Sequence, residues 1–127
     1  MKSYTDIEQS KKLAEILPLE SADMAYYQWK DDGHLMAPVP FVLDGMEEKN
    51  NGFFRYICCW SLSALLSIIN NIKGWYPGID AQVEDNKWQI CMFSRETGSD
   101  TSLSSMNEEL VDVCYEVILK LKERNII

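Results

Sequence analysis

Histidine is almost missing from this chain: His34 is the single one in 127 residues, and it stands upstream of every cysteine, beside a turn glycine. Zinc-type ligation and imidazole proton transfer both need a partner set that one histidine does not supply. The four cysteines, Cys58, Cys59, Cys91 and Cys114, form no C-x-x-C pair. Two neighbours in sequence rarely bridge each other, so reduced thiols that fill the core are expected, with no metal and no cofactor. No glycine-rich phosphate loop is present. Positive charge is also scarce. Twelve Lys and Arg against twenty Asp and Glu leave a net charge of −8, which repels a phosphate backbone and excludes the basic footprint of a nucleic-acid binder. Long apolar runs are lacking as well. Nowhere do roughly eighteen apolar residues follow one another, and Met1 to Glu8 has no signal-peptide core, so no membrane partner and a cytoplasmic location are expected.

What remains is an ordinary globular composition, 46% hydrophobic and 25% charged. A chain of 127 residues is expected to fold as a single domain over 1–127. Its organising stretch runs from Cys58 to Ile72 and carries no charge between Arg55 and Lys73. Leu62, Leu65, Leu66, Ile69 and Ile72 share one helical side, and Ser63, Ser67, Asn70 and Asn71 the other, which predicts a central apolar helix at about 60–73. Gly74 is expected at its left-handed C-terminal cap.

Around that helix the other elements are read in order. Thr5 followed by Glu8 has the form of a capping box, opening a first helix that Pro18 ends. Met24 to Lys30 alternates as a strand, with Ala25, Tyr27 and Trp29 on one face. After the turn Asp31-Asp32-Gly33, the segment His34 to Leu43 is broken by Pro38 and Pro40 and is expected at a sheet edge. The acidic run 44–52 reads as a surface loop. Phe53 to Ile57 predicts a strand leading into the central helix. Ile79–Val83 and Trp88–Phe93 predict a hairpin about Glu84 to Lys87, with Ile79, Ala81 and Val83 sharing a buried face with Trp88, Ile90 and Met92. Ser94 to Ser104 predicts a mobile loop. Ser105 with Glu108 suggests a second capping box ahead of an amphipathic helix whose stripe is Leu110, Val113, Cys114, Val117, Ile118 and Leu121. The fold class expected is α+β, a mainly antiparallel sheet packed against about three helices.

One local pattern suggests chemistry. Cys59-Trp60 at a predicted helix start, where backbone amides lower a thiol pKa, is similar to papain-like cysteine proteases, whose nucleophile opens a helix before an aromatic residue. Those enzymes place their histidine downstream, whereas His34 lies upstream. A thiol-dependent enzyme using Cys59 with His34 is therefore carried as an alternative. A second alternative uses the negative charge, an acidic DNA mimic that inhibits a DNA-binding protein, although the carboxylates form no visible row. Trp75 and Tyr76, read as a connecting loop before Pro77, are the candidate binding residues for a partner.

Three runs, Thr5 to Leu13, Ser21 to Met24 and Cys59 to Leu66, together resemble small proteins of gut Bacteroides-type bacteria and of their phage-like or mobile elements. The likeness covers about the first half of the chain. No activity is attached to that family, so the resemblance implies a bacterial or phage-associated accessory protein and carries over no catalytic residue. The leading expectation is a non-enzymatic protein-interaction module, a monomer or homodimer that binds another protein.

Overall fold

Asp6, and not Thr5, opens the first helix. In this computed structural model, which describes residues 1–40 and 53–127, the Asp6 carboxylate accepts the Gln9 amide N–H at 2.8 Å while the Gln9 side chain accepts the Asp6 N–H at 3.1 Å. This reciprocal cap starts α1, Ile7–Ile16, one residue later than the Thr5 pattern suggested. Thr5 is drawn into the core instead, where its hydroxyl has better partners. The acidic run 44–52, with the end of the Pro-punctuated segment at 41–43, lies outside the described residues.

The fold is α+β, with two three-stranded antiparallel sheets and three α-helices among the described residues. The chain divides into two compact units, residues 4–64 and residues 1–3 with 65–127. The strands expected in one sheet are thus shared between two.

In the unit of residues 4–64, α1 and a 3-10 turn at Leu19–Ser21 lead into β1, Met24–Trp29, β2, Leu35–Pro40, and β3, Phe54–Cys59, in the order β2-β1-β3. The β1–β2 hairpin closes through Asp31-Asp32-Gly33, with Gly33 at φ +73° and the Trp29 N–H donating to the His34 carbonyl at 2.9 Å. The proline-bearing β2 takes the edge, as a strand with missing amide donors must. β1 and β3 pair without interruption from Met24↔Cys59 to Trp29↔Phe54. Residues directly opposite share a face, so Ala25, Tyr27 and Trp29 lie on one side, and Tyr26 points the other way, toward α1. Both Ala25 and Tyr26 are buried.

The central helix is shorter than its hydrophobic pattern: α2 spans Leu62–Asn70. Its start is fixed by Ser61, whose hydroxyl accepts the Ala64 N–H at 3.1 Å in the manner of an N-cap. Cys58 and Cys59 therefore belong to β3, and Trp60 is a fully buried link between strand and helix. Leu65 and Ile69 are the helix's buried residues, while Ser63, Ser67 and Asn70 are exposed. Gly74 does take a left-handed conformation, φ +83°, but as the third residue of a turn closed by Trp75 N–H to the Ile72 carbonyl at 3.1 Å, four residues past the helix end.

In the unit of residues 1–3 with 65–127, β4, Trp75–Gln82, β5, Lys87–Ser94, and β6, Gly98–Asn107, form a meander. Ile79↔Ile90 and Ala81↔Trp88 are paired as expected, and Asn86 takes the left-handed turn position at φ +52°. The shared face is buried only at Ile90 and Met92, however, since Ile79 and Ala81 on the edge strand β4 are exposed. Val83 falls outside the strand and is 86% exposed. The serine-rich stretch expected to be mobile is β6, paired with β5 from Ser94↔Gly98 to Trp88↔Asn107. Weak strand propensity is outweighed there by a ladder interrupted only by a bulge at 101–103 and by the burial of Leu103 and Ser105. Strand continuation also removes the second capping box: α3 runs Leu110–Glu123 with Glu109 at its N-cap and no side-chain cap bond. The Ser105 hydroxyl donates to the Glu116 carboxylate across the sheet–helix boundary instead. The stripe Leu110, Val113, Cys114, Val117, Ile118 and Leu121 is buried, joined by Val111. None of the described helices is long and apolar enough to cross a membrane.

Candidate functional site

Thr5 is the hub of a buried polar knot that contains Cys59. Its N–H donates to the Trp60 carbonyl at 3.0 Å, its hydroxyl oxygen accepts the Trp60 N–H at 3.1 Å, and Ser10 Oγ lies 2.8 Å away. The Thr5 carbonyl accepts the Tyr26 hydroxyl at 2.7 Å and the Cys59 thiol at 3.4 Å. Cys59 is fully buried, and burial pushes its thiol up despite opposing hydrogen bonds from Thr5 and Ser10. The same cause holds the Tyr26 phenol above its ordinary range. These are properties of a packed, neutral thiol rather than of a poised nucleophile.

His34 is exposed on the β1–β2 turn, its N–H donating to Asp32 at 2.8 Å. Cys59 is opposite Met24 and Leu35 is opposite Gln28, so Cys59 and His34 stand at opposite ends of β1, about 13 Å apart along the strand alone. A proton-transferring pair needs about 3 Å. The structure does not bring the two together. The helix-start argument for Cys59 also lapses, because α2 begins three residues later. Among the described residues, no three His, Cys, Asp or Glu side chains converge in a form that could hold a metal.

Trp75 and Tyr76 are not in a loop; they open β4, opposite Ser94 and Phe93. Tyr76 stacks on Phe93 with ring centroids 5.4 Å apart and planes 14° from parallel, and the Arg95 guanidinium lies 5.4 Å over its ring. Gly78 permits this arrangement, since a Cβ there would stand 2.6 Å from the Phe93 ring. Tyr76 remains 42% exposed and Trp75 is half-buried.

A larger aromatic surface belongs to the first sheet. Trp29, Phe54, Tyr27 and Tyr56 line one face as a chain of edge-to-face rings, with centroids 5.5 Å apart for Trp29–Phe54, 5.6 Å for Tyr27–Phe54 and 4.3 Å for Tyr27–Tyr56. The register adds Met36 opposite Tyr27 and Val39 opposite Ala25 on the same face. Trp29 is 37%, Val39 41% and Met36 46% exposed, a grouping of large apolar side chains that water disfavours. The alternation of Tyr27 with Trp29 and of Phe54 with Tyr56 was visible in the sequence, but their assembly into one surface depends on the β1–β3 register. On the α1 side of the same sheet, α1, the 3-10 turn and β3 bound a cleft of about 340 Å³.

Compared with protein-family models, curated proteins and solved structures, the chain has no match, so its function is read from its own side chains.

Proposed function

We propose that this chain is a protein-interaction module, of the bacterial or phage-associated accessory kind that its sequence resemblance implies, and that it meets its partner through the aromatic face of β1, β2 and β3. The observation that supports this reading is the exposure of Trp29, Met36 and Val39 beside the packed rings of Tyr27, Phe54 and Tyr56. Aromatic and Met side chains are enriched at interface centres, the aromatics because they bury much area for few rotatable bonds and Met because its flexible thioether adapts to the partner's surface. Short strands and prolines on β2 keep this edge from pairing with strands at random, so side-chain contact, rather than ladder extension, carries recognition.

The test is affinity capture at native expression, with wild type compared against Trp29→Glu and Met36→Glu, each verified as folded by circular dichroism. A specific partner recovered by wild type and lost from both variants supports the module. Recovery of no specific partner, or retention of the same partner by both variants, refutes it.

A further inference from the structure

Lys11 and Arg55 are two cations in a chain with net charge −8, and both line the cleft between α1 and β3. Among the described residues neither is in a salt bridge, whereas Lys2, Lys12 and Arg124 each pair with a carboxylate. Among the described residues, no acidic side chain lines the cleft. Both cationic side chains are exposed, so each is available to a negatively charged ligand that enters the cleft. Ala14, Leu19 and Ile57 supply an aliphatic part of the wall. Gln28 adds one polar side chain, anchored by donating to the Gly33 carbonyl at 3.2 Å. At about 340 Å³ the cleft is at the small end for ligand sites.

We infer that this cleft binds a small organic anion, a carboxylate attached to an apolar body. The planar Arg55 guanidinium matches a planar carboxylate through two parallel N–H donors, and Lys11 adds a second positive charge. The aliphatic wall takes the apolar body, whose burial adds to affinity and sets the site apart from a mere anion trap. Tyr56 borders both this cleft and the aromatic face used for the partner, but Lys11 and Arg55 are not part of that face, so the inference does not depend on that reading. Two sources present the same chemistry, a free acid such as a short fatty acid and the C-terminus of an apolar peptide.

Binding is measured by heteronuclear NMR titration of the full chain with octanoate, with the tripeptide Ala-Leu-Leu as free acid and as C-terminal amide, with 1-octanol, and with inorganic phosphate. Octanoate or the free-acid tripeptide should shift the amides of Arg55 and Ile57, and which of them binds more tightly names the source. Arg55→Gln and Lys11→Gln, both surface changes that leave the fold intact, should each weaken that binding about tenfold. The proposal is overturned if neither acid shifts these amides, if octanol or the amidated peptide binds as tightly, if phosphate binds as tightly as octanoate, or if both variants keep wild-type affinity.

Discussion

Asp23 grips Ser61 twice: its carboxylate accepts the Ser61 backbone N–H at 2.9 Å and the Ser61 hydroxyl at 2.5 Å. Ser61 in turn caps α2 by accepting the Ala64 N–H, so a carboxylate remote in sequence stands behind the helix N-terminus, where negative charge is favoured. Asp23→Ala should lower stability by about 1 kcal/mol, the usual cost of a lost cap. Urea melts of Asp23→Ala, Ser61→Ala and the double variant would check this. The two single losses should overlap rather than add; full additivity would mean that the residues act separately.

Several buried bonds converge on the Thr5 side chain. Thr5→Val keeps the shape but leaves the buried Trp60 N–H without its acceptor, and Ser10 Oγ without its neighbour. A cost of about 2 kcal/mol is expected from the unmet donor. Thermal denaturation read by tryptophan fluorescence would report it, with Thr5→Ser close to wild type because the hydroxyl is restored. A loss for Ser with Val close to wild type would point to the methyl group and not to the bonds.

The thiols differ sharply in access. Cys58, Cys59 and Cys114 are buried, and burial raises all three, Cys114 to about 12; Cys91 is only half-buried. Iodoacetamide on the native protein near neutral pH should therefore modify Cys91 first, and the other three only under unfolding conditions. Peptide mass mapping over time would show the order. Labelling of Cys59 ahead of Cys91 would restore the case for a reactive thiol.

Acid should loosen the link between β6 and α3. The Ser102 hydroxyl, and then the Arg124 guanidinium at 2.8 Å, hold the Asp100 carboxyl below its ordinary value of 3.8. A carboxyl depressed in the folded state stabilises fully above its unfolded value and loses that contribution as pH falls through the folded one. Wild type should thus exceed Asp100→Asn in stability at about pH 7, and the gap should close by about pH 2. Urea melts at both pH values test this; a gap that persists in acid would remove the charge from the explanation. Salt should narrow the gap at neutral pH, since the pair is accessible to solvent.

Periodicity made several elements legible in advance. The α3 stripe, the Ile79–Ile90 pairing and the edge position of the proline-bearing β2 rest on side-chain spacing or on a missing amide donor, which act locally and do not depend on the rest of the chain. Boundaries were less legible wherever a distant residue competes for a local one. Thr5 has the form of an N-cap, yet Trp60, Tyr26 and Cys59 offer it a buried network, so Asp6 takes the cap. Ser105 also looks like a cap, yet pairing with Ile90 and bonding to Glu116 hold it in a strand.

The residues alone determined the α+β class, the apolar stripes and the shortage of ligands for metal or proton chemistry, because composition and period are properties of the chain itself. Only the tertiary structure decided that Cys59 and His34 stand at opposite ends of a strand, that four aromatic rings meet on one face, and that Lys11 shares a cleft with Arg55. Each of those depends on register and on helix–sheet packing, where a one-residue slip would turn every side chain of a strand to the other face.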